Sequence, residues 1–133
     1  MKQTIKFAYP PNFDAILKRF PAAANKGVIF SYGDLIYNPW KVQIPKHLIA
    51  HEGTHGERQE AAGITQWWAR YLDEPLFCLD EEIYAHHAEY KVALRNIGPG
   101  ALNTIARRLS GPLYGNLFSY EQACRAILTG EVA

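Results

Sequence analysis

Cysteine is scarce in this chain of 133 residues: there are two, Cys78 and Cys124, and neither belongs to a C-x-x-C pair. That spacing argues against a thiolate zinc site and reads as two small buried hydrophobes. Charge of one sign is lacking as well, with 14 Lys and Arg against 13 Asp and Glu. So even a balance leaves no electrostatic footprint for nucleic acid, and no basic block suggests a tail. Long apolar runs are also missing. MKQTIKFAYPP has no apolar core of signal-peptide length before its prolines, and no stretch approaches a membrane span. A membrane partner is therefore not expected, and the expected location is intracellular. No repeat or low-complexity tract breaks the chain.

What is present is ordinary globular composition, 48% hydrophobic and 20% charged, enough for one domain over residues 1–133. Lys2–Ala8 alternates weakly and predicts a short strand, stopped by Pro10-Pro11. Asn12 then caps a helix through Phe20, with Phe13, Ile16, Leu17 and Phe20 on one stripe. Val28–Tyr32 and Leu35–Asn38 are β-rich runs joined by Gly33-Asp34, a hairpin signal, and Trp40–Ile44 suits one more strand. From Pro45 the signals turn helical: a helix of about four turns ending at Gly63, then Ile64–Leu72, Asp80–Arg95, Ala101–Leu109 and Tyr120–Leu128. Strands first and helices after predict an α+β domain, a short N-terminal antiparallel sheet or hairpin followed by a mainly helical bundle.

The chemistry lies in HLIAHEGTHGERQ, residues 47–59. His51-Glu52-Gly53-Thr54-His55 is an HExxH pattern inside the first long helix of that bundle. Spacing of i, i+4 puts two imidazoles on one face about one turn apart, near enough to share an ion. Glu52 points to the side of that pair, placed to take a proton from a metal-bound water rather than to ligate. His47 forms a rival i, i+4 pair with His51 but lacks the adjacent base, and it lies about 12 Å from His55 along the axis. Leu48, Glu52, His55, Gln59 and Ala62 share a face, with His51 beside them, so the motif points inward. Two interior glycines, Gly53 and Gly56, each cost about 1 kcal/mol against alanine. They imply close approach by a neighbouring element, or fraying after His55.

A zinc hydrolase site needs a third protein ligand. The histidine that would complete a metzincin pattern is absent, its position being Ala61. Asp80–Arg95 offers Asp80, Glu81, Glu82, His86, His87 and Glu89. Leu79, Ile83, Tyr90 and Leu94 define its core stripe, and Glu82 falls on the shoulder of that stripe. Glu81 falls about 160° away and reads as an exposed first-turn carboxylate favoured by the helix dipole. His87 lies within the apolar stripe as a hydrogen-bonded core histidine. His86 and Glu89 share the shoulder of Glu82, either holding the ligands in place or competing for the ion.

HExxH followed by Glu82-Ile83-Tyr84-Ala85 resembles the gluzincin arrangement. More narrowly, DLIYNP, IAHEGTHGERQ, WWARYLDEPLFCLDEEIYAHHAEY and ARRLSGPLYG together resemble small phage-encoded metallopeptidases with a minimal zincin fold. The likeness runs from about Asp34 to Ile127. It implies a zincin-like fold, one Zn2+ held by His51, His55 and Glu82, Glu52 as general base, and a peptide or protein substrate met in a host cytoplasm. A zinc-binding assembly module without turnover is the alternative from another class, and an accidental motif in a metal-free helical protein is the third.

Elsewhere, adjacent Trp67 and Trp68 point about 100° apart, so one is expected inside and the other partly exposed. Tyr37, Tyr84, Tyr114 and Tyr120 are unranked phenolic donors for a developing oxyanion. Arg107-Arg108 reads as a solvated helix end. One strand of the hairpin has the form of an edge that could pair with an extended peptide.

Overall fold

A computed structural model describes residues 3–131. Its described residues form an α+β chain with one small sheet near the N-terminus and six α-helices. These are β1 (Thr4–Lys6), α1 (Phe13–Arg19), β2 (Phe30–Tyr32), β3 (Leu35–Tyr37), α2 (Lys46–Ala62), α3 (Ile64–Asp73), α4 (Pro75–Asn96), α5 (Ala101–Leu109) and α6 (Tyr120–Thr129). None of these helices is long and apolar enough to cross a membrane.

The chain divides into two compact units, Met1–Ile44 with Glu52–Cys78, and Pro45–His51 with Leu79–Ala133. It passes from one to the other between Ile44 and Pro45, within α2 and within α4. In the first unit the expected hairpin is present: Phe30 pairs with Tyr37 and Tyr32 with Leu35, antiparallel. Gly33 takes φ +61 between them, as the first loop position of a type II′ turn requires. The third strand corrects the antiparallel expectation, because β1 lies parallel to β3 in the order β1-β3-β2. Parallel pairing follows from the route, since the chain crosses through α1 before returning as the hairpin. A largely aromatic core, Phe30, Tyr37, Trp67 and Trp68 with Ile16, packs this unit.

The strand expected at Trp40–Ile44 does not form. Asn38 is buried and its amide donates to the Val42 carbonyl at 2.8 Å while accepting from the Val42 N–H at 3.1 Å. The groups a ladder would use are thereby spent locally. Trp68 is also corrected: it is buried like Trp67, and the two rings meet edge to face at 5.1 Å. The apolar face of α3 is wide enough to take both.

α2 begins as the Pro45 carbonyl accepts from the N–H groups of Leu48 and Ile49. Its portion from Glu52 onward is locked to the hairpin. Gln59, fully buried, accepts from the Gly33 N–H at 2.6 Å and donates to Ser31 Oγ at 3.0 Å. A Cβ on Gly56 would stand 2.1 Å from the Gly33 carbonyl oxygen, whereas one on Gly53 would meet the side-chain amide of Gln3 at 3.1 Å. Close approach, not fraying, explains the two glycines, and α2 runs on through Ala62.

In the second unit Leu79, Ile83, Ile105, Leu109 and Ile127 form the core. α5 has the bounds expected of it, and α6 opens on a capping box between Ser119 and Gln122. His87 is the hydrogen-bonded histidine expected, its Nδ1–H donating to the Ile127 carbonyl at 2.6 Å. α4 starts five residues before the expected Asp80, because Pro75, having no N–H to leave unsatisfied, suits a first helical position.

The two motif glycines should respond differently to alanine. Gly56→Ala meets backbone and is expected to lose more than about 2 kcal/mol. Gly53→Ala meets a flexible amide and gains helix propensity, so it should stay within about 1 kcal/mol of wild type. Urea unfolding of the metal-free protein measures both, and equal losses would contradict this packing.

Candidate metal centre

α2 and α4 carry the candidate residues. On α2, His51 and His55 are both buried, at 8% and 4% exposure, while Glu52 between them is half-buried. The motif therefore faces inward as its spacing predicted, and the residue suited to proton transfer retains access to water. His47 is half-buried. The ring of His55 packs edge-on against Trp67 at 5.3 Å and Tyr71 at 6.0 Å, giving it an aromatic wall.

α4 supplies a buried polar stripe. Glu82, His86 and Glu89 are all buried. Glu89 accepts at a single oxygen, Oε1, from two imidazoles: His51 Nδ1 at 2.9 Å and His86 Nδ1 at 3.0 Å. Its other oxygen accepts from the Arg108 guanidinium on α5. Burial alone would raise the Glu89 pKa, but the hydrogen bonds from the two histidines and their charges more than reverse this, leaving it well below the usual carboxylate range. An ionised carboxylate can only accept, so both histidines donate to it through Nδ1–H. Burial holds the His86 pKa below its ordinary value despite the neighbouring carboxylates, which keeps the ring neutral.

The Nε2 atoms of both rings approach Glu82. His51 Nε2 lies 3.3 Å from Glu82 Oε1, and His86 Nε2 lies 3.6 Å from the same oxygen. Tyr114, in the 3-10 turn Pro112–Tyr114, donates its hydroxyl to this oxygen at 2.9 Å. Two zinc ligands at about 2.0–2.1 Å in tetrahedral geometry lie about 3.3 Å apart. The His51–Glu82 separation matches that edge, and buried His51, His55 and Glu82 offer ligand atoms within 4.8 Å of one another that could hold a metal ion.

Buried His51, His86 and Glu89 also offer ligand atoms within 4.8 Å of one another and could hold a metal ion. There, however, the Nδ1–Oε1 separations are hydrogen-bond distances, and Arg108 already occupies the second oxygen of Glu89.

Several expectations need correction. Glu81 is buried at 2% exposure, not a solvated first-turn carboxylate. With α4 beginning at Pro75 it falls in the second turn, and the middle of this helix is covered around most of its circumference. Arg108 is not simply solvated: its guanidinium pairs with Glu89, while Arg107 remains exposed and bonds Asn103. Nothing local in the sequence signals that pairing, since its partner is 19 residues away. Tyr114 stands out from the four tyrosines only through its contact with Glu82; Tyr120 is exposed and bonds Asn103.

No protein-family model, characterised protein or solved structure matches this chain.

Arg108→Ala should cost about 1–3 kcal/mol by leaving the Glu89 carboxylate short of a partner, at the lower end because the guanidinium is partly exposed. Arg107→Ala should change stability by less than about 0.5 kcal/mol; thermal unfolding of the pair decides, and equal shifts would contradict the pairing.

The pKa shifts also fix a sign. A histidine lowered on folding stabilises fully above its ordinary value and loses that contribution as pH falls below it; a lowered carboxylate behaves likewise further down. Metal-stripped protein should therefore lose stability from about pH 6.5 downward and again below about 4.5. His86→Ala should flatten the upper step, and an unchanged pH profile in that variant would contradict the assignment.

Proposed function

We propose that the protein is a zinc-dependent metallopeptidase of minimal gluzincin type, with His51, His55 and Glu82 as the metal ligands and Glu52 as the general base. The observation that carries this reading is the approach of Glu82 Oε1 to within 3.3 Å of His51 Nε2. It comes from a helix about thirty residues downstream, where a gluzincin glutamate belongs. His55 lies one turn beyond His51 on the same continuous helix, buried and of ligand type. A hairpin followed by the motif helix and then a glutamate helix is also the order expected of a zincin-like fold, in line with the likeness to small phage-encoded metallopeptidases.

Zinc, when bound, would supply a Lewis acid that acidifies water and polarises the scissile carbonyl. Glu52 accepts the proton of the attacking water and passes it to the leaving amine. Glu89 fixes the orientation of His51, and Arg108 occupies the other oxygen of Glu89. Tyr114 holds the Glu82 carboxylate through its hydroxyl. β2, an edge of the sheet, has the form with which an extended peptide pairs.

Purified protein from metal-replete expression should carry about one zinc per chain by elemental analysis. Less than about a tenth of an equivalent would sink the metal reading. Glu82→Ala should lose the ion. Glu52→Gln should retain it while hydrolysis of an unfolded protein falls at least about a hundredfold. Should wild type and Glu52→Gln behave alike across a broad peptide library, the protein is a zinc-binding assembly module instead.

A further inference from the structure

The sheet has a second edge that the proposed hydrolysis leaves unused. In the order β1-β3-β2, β1 has a neighbour on one side only, and Thr4, Ile5 and Lys6 are all exposed. The Thr4 N–H donates to the Asp34 carbonyl at 2.8 Å, and the Lys6 carbonyl accepts from the Asn38 N–H at 2.7 Å. Residues of a parallel strand bond a given neighbour alternately. Thr4 and Lys6 therefore spend their backbone groups on β3, and the N–H and C=O of Ile5 point off the open edge. Apolar surface accompanies them: Ile5, Phe7 and Trp40 are exposed, Phe7 at 63%. Lys41 Nζ stands 5.7 Å from the centre of the Phe7 ring, so the turn that carries Trp40 returns to the end of β1.

Charge on this surface is one-sided. Between Gln3 and Ile44 there are five Lys and Arg against two Asp. Lys6 and Lys41 are exposed beside the apolar patch, whereas Asp34 lies at the opposite end of β1, next to Thr4. We propose that β1 is a docking edge for an extended segment of another protein in which apolar and acidic side chains alternate. Such a segment adds a fourth strand. Its backbone satisfies Ile5, its apolar side chains cover Ile5 and Phe7, and its carboxylates meet the lysines. A second copy of this chain suits the edge less well, because β1 paired with itself lays the same lysines along one seam with no acid in either strand. A bilayer also suits it less well, since lipid gives the Ile5 backbone nothing to bond. None of these residues belongs to the metal centre.

The probe is a synthetic peptide alternating glutamate and valine, titrated into the nitrogen-15-labelled full chain. Amide exchange at Ile5 should slow at least about tenfold at saturation, with Ser31 on β2 unchanged. The same peptide with N-methylated backbone amides should not bind. Lys6→Glu should weaken the glutamate probe at least about tenfold and favour a lysine–valine probe instead. Absence of binding, protection at Ser31 rather than Ile5, or equal binding of both probes by wild type would overturn the proposal. A concentration-dependent dimer that protects Ile5 without peptide would replace the partner with a second copy. Sedimentation with phosphatidylserine vesicles, with Ile5 unprotected by the probe, would make the patch a membrane surface; either result sinks the docking edge.

Discussion

The arrangement depends on where two protons reside. Glu89 is a buried, ionised carboxylate that takes the Nδ1–H of both His51 and His86 on one oxygen and the Arg108 guanidinium on the other. Burying a carboxylate costs several kcal/mol unless its acceptor sites are filled, and here three charge-assisted or imidazole donors fill them. Because Glu89 takes the Nδ1 protons, each ring turns its Nε2 away from it and towards Glu82. Without Glu89 neither ring has a reason to prefer that orientation. One carboxylate thus sets the protonation state of two rings, and one arginine makes its burial tolerable.

The motif helix has to be held as firmly as its ligands. Each of its two glycines lowers intrinsic helix stability by about 1 kcal/mol, a cost the sequence accepts within the very turns that carry the histidines. The reason is backbone proximity. The Gly33 carbonyl comes so close to Gly56 that no side chain fits, and Gln59, one turn on from His55, bonds the same hairpin from both ends of its amide. The hairpin therefore acts as a clamp on the helix just past the metal motif. A mobile helix could not keep two imidazoles at ligand separation, so packing in the sheet region and geometry at the motif are one constraint.

Much of this was legible in the residues. Periodicity and Gly/Pro punctuation located α2, α3, α5 and α6 within a residue or two, the Gly33-Asp34 turn announced the hairpin, and a wheel drawn on Leu79, Ile83, Tyr90 and Leu94 put Glu82 on an inward shoulder, although Leu94 itself is exposed near the end of α4. The errors share a cause. Placing Glu81 in solvent, and one of Trp67 and Trp68 partly so, assumes a narrow covered face, yet α3 buries both tryptophans and the middle of α4 is covered around most of its circumference. The strand at Trp40–Ile44 yielded to an amide, since Asn38 satisfies the local backbone more cheaply than a ladder would. Arg108 was out of reach for a different reason: its partner is on another helix, and only tertiary structure pairs them. Local chemistry could be read from spacing, whereas circumferential burial and long-range ion pairing could not.

One contrast within the motif favours the proposed turnover over simple metal storage. His51, Gly53, His55 and Gly56 are all buried, but Glu52 is half-buried. A purely structural ion needs only its ligands and their supports, and an ionisable side chain kept beside such a site raises the electrostatic cost of the fold without adding a donor. A hydrolytic site needs that group: a carboxylate near the ion, off the ligand face, with enough water contact to exchange its proton between cycles. The half-buried position of Glu52 meets that requirement on the same helix whose neighbours are sealed.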